Sequence, residues 1–364
     1  MDLRENFFRK FDWLIILPAF ILSVVGLVAI YSTDLARTSS DFLNFKKQAI
    51  TFVLGILVLT ISAIINYRQL RNAKNILYLA GALLLVGVLI FGRALRGTTG
   101  WFVLGPLTFQ PVEVVKIILV IFLAEYFSRE GRNLFTFRDI FKSFFPAMIM
   151  IGLVMLQPDL GSSIILFLIW LGMLLVSRVQ KKHLLAMFLI FISTAVIAWF
   201  FVLAPYQKDR IKVFINPDLD PLGSGYNIKQ AIIAIGSGGF WGKGLGFGSQ
   251  SQLRFLPETH TDFIFALIAE EMGFFITAIV LGLFALLFLR ILSMAKKSGD
   301  NFTAYLCVGF LIIFASEAII NIGMNLGLMP VTGLALPFIS LGGSSLLSKF
   351  LMIGILESAR LRSP

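Results

Sequence analysis

The chain has very few of the residues that build most redox and zinc sites. It contains one cysteine, Cys307, and two histidines among 364 residues. A single thiol cannot form an intramolecular disulfide, and one thiol with two imidazoles cannot supply the four ligands of a structural zinc site. Carboxylates remain, so the composition still allows a Mg²⁺ or Mn²⁺ ion bound by Asp and Glu oxygens.

Charge is also scarce. Charged residues make up 14% of the chain and hydrophobic residues 58%, with a mean hydropathy of +0.90. Soluble domains carry about 25% charged residues, so this composition indicates a membrane protein. The net charge of +11 would suggest a nucleic-acid partner in a soluble chain. Cytoplasmic loops of membrane proteins collect Lys and Arg, however, so we expect membrane lipids and no nucleic acid as partners.

Long apolar runs recur along the whole chain, and a helix needs about 20 apolar residues to cross a bilayer. We predict an all-α polytopic membrane protein, a single domain over 1–364 with about ten transmembrane helices. The predicted spans lie near 13–31, 48–65, 75–92, 111–127, 143–157, 161–177, 184–204, 263–290, 302–327 and 336–357. Alternate loops are much richer in Lys and Arg, which predicts that both termini are cytoplasmic. Residues 205–262 then form a large extracytoplasmic loop between the seventh and eighth spans.

The stretch from Leu256 to Phe265 ends this loop and begins the eighth span. Asp262 lies at that edge, where an acid is costly and needs a reason, so we take it as the candidate catalytic residue. Its position alone also fits an acid that stabilises a helix N-terminus. Glu258 could bind a cation or orient the loop. His260 could shape the loop or shuttle protons, and we expect Glu270 in the wall of the same cavity.

A second polar group precedes the fourth span. Gly and Pro between residues 93 and 106 predict a surface or re-entrant turn, with Trp101 at the membrane interface. Pro111 suits the first position of a helix. Glu113 and Lys116 are then three residues apart on one face and can pair. The pair could be structural, or Lys116 could bind a phosphate in an outward-facing cavity.

Two further loops carry candidate binding residues. Asp159 could cap the helix that follows it or line the same outer site. The glycine-rich run from Gly236 to Gly246 contains Lys243 but lacks P-loop spacing, because Ser237 stands where a glycine is required. Its glycines would let the backbone approach a ligand or a neighbouring helix, and Lys243 is a candidate phosphate ligand.

The last two spans also contain polar residues. Glu317, Asn321 and Asn325 recur every four residues and form a stripe for which we expect interhelical hydrogen bonds. Lys349 lies inside the final span, where it needs a partner or water. The small residues around Ser344 suit close helix packing or a cavity wall, and Ser344 is a candidate substrate-binding residue.

The segment from Leu256 to Phe265 resembles the signature of the SEDS family (shape, elongation, division and sporulation). Further motifs of that family follow in its order along the chain: Gly105-Pro106, Gln110-Pro111, Gln157 to Gly161, Gly236 to Gly244 and Gly342 to Ser345. The turn from Pro330 to Gly333 is more similar to the RodA branch than to the FtsW branch. Two positions depart from the family pattern, since Val112 stands where Ser is usual and Leu341 where Tyr is usual.

The resemblance implies a peptidoglycan glycosyltransferase that polymerises lipid II, a disaccharide-pentapeptide on undecaprenyl pyrophosphate. It implies action at the outer face of the bacterial cytoplasmic membrane with a class B penicillin-binding protein, a transpeptidase. Asp262 matches the family's essential acid. A carboxylate can take the proton of an attacking sugar hydroxyl, and Lys, Arg or a divalent ion can stabilise the pyrophosphate leaving group. One base would give inversion. A lipid II flippase and a non-enzymatic scaffold are the alternatives.

Overall fold

The computed structural model describes residues 11–35, 42–95, 98–105, 107–130, 136–177, 179–180, 182–183, 199–201, 205–221, 223–253 and 255–362. The helices of this part of the chain are α1 (Trp13–Leu35), α2 (Leu43–Ile64), α3 (Arg68–Asn72), α4 (Lys74–Phe91), α5 (Pro111–Glu130), α6 (Phe137–Met155), α7 (Leu160–Val176), α8 (Pro205–Ile215), α9 (Ser224–Ser237), α10 (Ser249–Gln252), α11 (Ile264–Lys297), α12 (Asn301–Asn325) and α13 (Gly343–Arg362). A three-stranded sheet comprises β1 (Arg93–Leu95), β2 (Thr98–Leu104) and β3 (Leu107–Phe109), in the order β1-β2-β3.

Five of the described helices, α1, α2, α4, α11 and α12, are long and apolar enough to cross a membrane. The multi-pass membrane architecture is therefore confirmed. Helices α5, α6, α7 and α13 occupy four further predicted spans. The predicted span at 184–204 lies almost entirely outside the described residues. The count of ten, the side of the termini and the placement of the long loop stay predictions.

The prediction of an entirely helical fold missed the small sheet. Where the sequence suggested only a turn, β2 pairs antiparallel with β1 and with β3. The β2 sequence is rich in β-branched and aromatic residues, which favour extended backbone. The turn between β2 and β3 contains Gly105 with φ 62°, a conformation that glycine adopts without steric cost.

Helix α12 lies at the centre of the bundle. It packs against α5, α7 and α11, and its buried side chains include Phe302, Phe310 and Phe314. Helix α13 packs along α2. Because α12 has neighbours on several sides, its polar residues Glu317, Asn321 and Asn325 are buried inside the protein.

Helix α11 is broken at Gly273, which has φ 75° and ψ −178°. The glycine-rich loop packs against this break, where Lys243 N and Gly244 N donate to the carbonyl oxygens of Glu270 and Glu271 at 3.0 and 2.9 Å. A Cβ on Gly273 would lie 2.2 Å from Gly242 N, so the contact requires glycine. The loop glycines therefore serve close approach to a neighbouring helix, one of the two uses expected from the sequence.

Candidate functional site

Asp262 lies in the turn that leads into α11, and α12 holds the backbone of this turn. The side-chain amides of Asn321 and Asn325 both donate to the carbonyl oxygen of Asp262, at 3.1 and 2.9 Å. Asn325 Oδ1 also accepts from the backbone N–H of Ala266, at 3.1 Å. The predicted interhelical hydrogen bonds of the polar stripe are thus present, and they fix both Asp262 and the first turn of α11.

The segment before α13 holds the same turn from another side. Ser340 Oγ donates to the carbonyl oxygen of Thr261 at 2.7 Å, and Leu341 N donates to that of His260 at 2.9 Å. Gln48 Nε2 on α2 in turn donates to the carbonyl oxygen of Ser340, at 3.2 Å. Leu341 takes part through its backbone, so replacement of the usual Tyr leaves this hydrogen bond in place.

Three polar side chains accompany Asp262 in the turn. Thr261 Oγ1 donates to Glu258 Oε2 at 2.9 Å, and His260 Nε2 lies 4.0 Å from the same oxygen. The Glu258 side chain is 48% exposed and that of His260 18%, so the carboxylate of Glu258 reaches solvent. Gly333 approaches the carboxylate of Asp262 closely, since a Cβ placed on it would lie 3.7 Å from Asp262 Oδ2. No group of three His, Cys, Asp or Glu that could hold a metal ion occurs among the described residues.

A second group of contacts converges on Gln110. Its backbone N–H donates to Ser344 Oγ at 3.1 Å, and Ser344 Oγ donates to the carbonyl oxygen of Thr108 at 3.2 Å. Its side-chain amide donates to Asp159 Oδ2 at 3.3 Å. Asp159 Oδ1 accepts from Ser162 N at 2.9 Å. Asp159 therefore caps α7, which is one of the two roles predicted for it. A role of Asp159 or Ser344 in substrate binding stays a prediction.

This second group lies at the same end of the bundle as Asp262. A Cβ on Gly161, in the first turn of α7, would lie 3.0 Å from the carbonyl oxygen of Thr332, and Thr332 immediately precedes the glycine beside Asp262. Trp101 pairs with Arg93 across β1 and β2 and is partly exposed. The candidates Asp262, Asp159 and Ser344 therefore come from distant parts of the chain to one region.

Four charged side chains form a closed cluster inside the bundle, which we call the charge ring: Glu113, Lys116, Glu317 and Lys349. Lys116 Nζ lies 2.7 Å from both Glu113 Oε1 and Glu317 Oε1. Lys349 Nζ lies 2.8 Å from Glu113 Oε2 and 2.9 Å from Glu317 Oε2. All four residues are buried, and two positive charges balance two negative ones.

The charge ring bears on the alternatives left open for Lys116. The predicted pair with Glu113 is present, and Lys349 has the partners that its buried position requires. Both lysines are buried and paired with glutamates, so the geometry favours the structural role. Phosphate binding by Lys116 stays a prediction. The ring lies near Asp262, because Glu317 precedes Asn321 by four residues, about 6 Å along α12.

Lys243 is also paired. Its ammonium group lies 3.0 Å from Glu270 Oε1 and donates to Ser249 Oγ at 2.9 Å. The same Glu270 oxygen accepts from Gln250 N at 2.9 Å. Glu270 is fully buried, whereas the Lys243 side chain is 28% exposed. Glu270 therefore joins the glycine-rich loop to α11, and phosphate binding by Lys243 stays a prediction.

The residues that sequence reasoning missed are Thr261, Ser340 and Gln48. Ser340 and Gln48 act on backbone atoms of segments far away in the chain, as when Ser340 binds the carbonyl oxygen of Thr261 across 79 positions. The Thr261 side chain binds Glu258 within the same turn. A single Ser or Gln in an apolar stretch gives no sign of such a partner. The only available signal was the presence of polar residues near the ends of apolar stretches, because a polar group that becomes buried there needs a hydrogen-bond partner.

Comparison with known proteins identifies close relatives. The family model of cell cycle proteins that covers FtsW, RodA and SpoVE matches residues 12–363. A probable peptidoglycan glycosyltransferase FtsW from Thiomicrospira cyclica is 35% identical over 95% of this chain and 91% of its own length. The peptidoglycan glycosyltransferase MrdB of Escherichia coli K12 is 35% identical over 94% and 92% of the two chains.

A solved structure also resembles this chain over almost its full length. It is described as "Structural coordination of polymerization and crosslinking by a peptidoglycan synthase complex". The matching chain is 29% identical, has a TM-score of 0.81 and covers 96% of this chain and 98% of that chain. The similarity thus extends from sequence to the arrangement of the helices.

Proposed function

The chain belongs to the FtsW, RodA and SpoVE family, and from this premise we propose that it is a peptidoglycan glycosyltransferase that polymerises lipid II at the outer face of the bacterial cytoplasmic membrane. Two relatives that cover nearly the whole chain carry the name peptidoglycan glycosyltransferase, which supports the reaction class. A substrate with an undecaprenyl tail resides in the membrane, and the apolar helices would place this chain beside it.

In this proposal Asp262 is the general base. The observation that carries it is the double hydrogen bond from Asn321 and Asn325 to the Asp262 carbonyl oxygen. These amides bind the backbone rather than the carboxylate, so they fix the residue without neutralising its charge. A carboxylate so placed would take the proton of the acceptor sugar hydroxyl as that oxygen attacks the anomeric carbon. Attack opposite to the pyrophosphate inverts the anomeric centre.

The departing pyrophosphate needs positive charge. Mg²⁺ is commonly bound by one or two carboxylates together with substrate phosphates. The partly exposed Glu258 next to Asp262 would suit such a shared ion, with the pyrophosphate supplying further oxygens. Bound there, a divalent ion would stabilise the leaving group's charge.

We further propose that the chain acts in cell elongation and shape with a class B penicillin-binding protein. The RodA-like turn from Pro330 to Gly333 supports the elongation branch. The structurally similar chain comes from a synthase complex that couples polymerisation to crosslinking, which supports a crosslinking partner. Purification of the chain with its transpeptidase from rod-shaped cells undergoing elongation would test this assignment.

The decisive experiment is lipid II polymerisation by the purified protein, with and without the cognate transpeptidase and a divalent ion. We expect glycan polymer from the wild type and a loss of about 10²–10⁴-fold from Asp262→Asn, the range for removal of a general base. Asp209→Asn makes the same chemical change at an exposed acid that pairs with Lys212 on α8, and it should retain wild-type activity.

Both variants must fold and bind the transpeptidase as the wild type does. Polymer at the wild-type level from folded Asp262→Asn would refute the single-base mechanism. If the wild type itself gave no polymer with partner and ion present, the alternatives would be a lipid II flippase or a scaffold. A vesicle assay for lipid II translocation would then separate these two.

A further inference from the structure

The end of the bundle opposite to Asp262 contains a polar pocket that the proposed reaction does not use. Asp262 precedes the first residue of α11, whereas this pocket lies at the other end of the same helix. Its volume is about 200 Å³, and it is lined by Asp12, Arg290, Ser293, Met294, Lys297, Ser298, Thr303 and Arg360. These residues come from the ends of α11 and α13, the start of α12 and the residue before α1.

The pocket lining contains three basic residues and one acidic residue. Arg290 Nε lies 2.7 Å and Arg360 Nε 3.6 Å from Asp12 Oδ2, so one carboxylate faces two guanidinium groups. Lys297 adds a third positive charge and forms no ion pair with any described residue. Two nearby acids do not line the pocket: Glu357 accepts from Asp12 N at 3.0 Å, and Asp300 accepts from Thr303 Oγ1 at 3.4 Å.

Exposed apolar side chains flank this cationic pocket on the membrane side. Trp13 and Leu17 follow Asp12 on α1 and are 55% and 51% exposed. Leu286 and Leu289 precede Arg290 on α11 and are 40% and 65% exposed. Helices α1 and α11 pack against each other, so both apolar faces border the same pocket. Trp favours the level of the lipid headgroups, which places the pocket at that level.

We propose that this pocket binds the phosphate of an anionic phospholipid, with the acyl chains lying on the exposed faces of α1 and α11. Basic pockets between transmembrane helices on the cytoplasmic side bind anionic headgroups. A free phosphate offers the same charge, but it would gain nothing from the apolar faces beside the pocket. The lipid therefore accounts for both features, and the site is independent of the reaction at Asp262.

Native mass spectrometry of the full-length protein in detergent, titrated with phosphatidylglycerol, tests the proposal. The informative variant is Lys297→Ala, which removes an exposed cation of the pocket without breaking an ion pair. One basic residue near an anionic lipid contributes about fivefold in affinity, so we expect about a fivefold weaker affinity for phosphatidylglycerol. Phosphatidylcholine should bind wild type and variant equally.

Lys296→Ala is the matched control, because Lys296 is the exposed neighbour of Lys297 and does not line the pocket. It should bind phosphatidylglycerol like the wild type. Equal losses from both variants would overturn the proposal, since they would indicate a diffuse charge effect. A separate arm adds glycerol phosphate as a soluble competitor. Displacement of the lipid at similar concentrations would also overturn it, because the site would then be one for free phosphate.

Discussion

Glu317 and Asn321 are neighbours on α12, one helical turn apart, but they use their polarity in opposite ways. Glu317 belongs to the charge ring, in which four charged side chains form hydrogen bonds and ion pairs only with one another and with Ser348 among the described residues. Asn321 donates instead to backbone oxygens of Asp262 and Leu334, at 3.1 and 2.7 Å. One helix thus supports a self-contained ionic cluster and, beside it, the turn that contains Asp262, which is held by neutral amides.

The difference follows from what each region must do. Buried charges are costly to desolvate and are tolerated when each is paired. The ring therefore joins α5, α12 and α13, but it is poorly suited to bind a ligand whose charge changes during a reaction. Amides carry no net charge, and they can fix a backbone without altering the charge of the carboxylate beside it. The comparison predicts that substitutions in the ring mainly affect folding, whereas those of the amides mainly affect turnover.

The largest effect is expected from unbalancing the ring. Lys349→Met leaves Glu113 and Glu317 to share Lys116, and an uncompensated buried charge costs about 3–5 kcal/mol. The double variant Lys349→Met/Glu317→Gln leaves the neutral pair of Glu113 and Lys116 and should recover most of this loss. Unfolding in detergent, followed by circular dichroism, measures both. Equal destabilisation by the single and double variants would show that packing, rather than charge balance, controls this region.

The next effect tests the amides. Asn325→Ala removes one donor to the Asp262 carbonyl oxygen and the acceptor of Ala266 N. Misplacement of a catalytic group by about 1 Å can cost about 10²-fold in rate, so kcat for lipid II polymerisation should fall to about that extent with KM nearly unchanged. Loss of the Asn325 acceptor leaves the buried Ala266 N–H without this partner, which should cost about 1–3 kcal/mol in stability.

The ring variants separate positioning from general destabilisation. Lys349→Met should lower the unfolding midpoint more than Asn325→Ala does, but it leaves both amide donors to the Asp262 carbonyl oxygen in place. The kcat of folded Lys349→Met should therefore stay near the wild-type value. If kcat followed the unfolding midpoint across Asn325→Ala and the ring variants, the amides would have no special role at Asp262.

Much of this arrangement could be predicted from the sequence because it depends on local patterns. Apolar length predicted the spans, and the spacing of Glu113 and Lys116 predicted their pairing. The four-residue repeat of Asn321 and Asn325 predicted a polar face on α12. The segment containing Asp262 was identified from its place at the edge of a span and from the family resemblance.

The remaining features depend on contacts between distant segments. Nothing near Lys349 in the sequence indicates that Glu113 and Glu317 are its partners, or that the ring is closed on itself. The hydrogen bond from Ser340 to Thr261 likewise joins two segments that are 79 residues apart in the chain. The small sheet was missed because Gly and Pro near Gly105 suggested a turn, while the extended backbone of β2 depends on pairing with both neighbouring strands.

The smallest of the expected effects on kcat tests the other end of the short helical segment that Asp262 precedes. Gly273 ends this segment with a positive φ of 75°, in a region of backbone space where other residues are strained by about 1–3 kcal/mol. Gly273→Ala should destabilise the protein by more than this strain alone, because its Cβ would also lie 2.2 Å from Gly242 N. Gly282→Ala is the matched control, because it lies in the same helix with open space around its Cβ position, and it should be neutral or slightly stabilising.

The unfolding midpoint and kcat of Gly273→Ala together extend the comparison between the two regions. Gly273 contacts the glycine-rich loop, while Asn325 independently holds the first turn of α11 through Ala266 N. If the amides are sufficient to position Asp262, the kcat of Gly273→Ala should fall much less than that of Asn325→Ala, although Gly273→Ala is less stable than the wild type. A loss of kcat as large as that of Asn325→Ala would mean that the break at Gly273 also positions Asp262. The turn that contains Asp262 would then be held from both ends of one short helix.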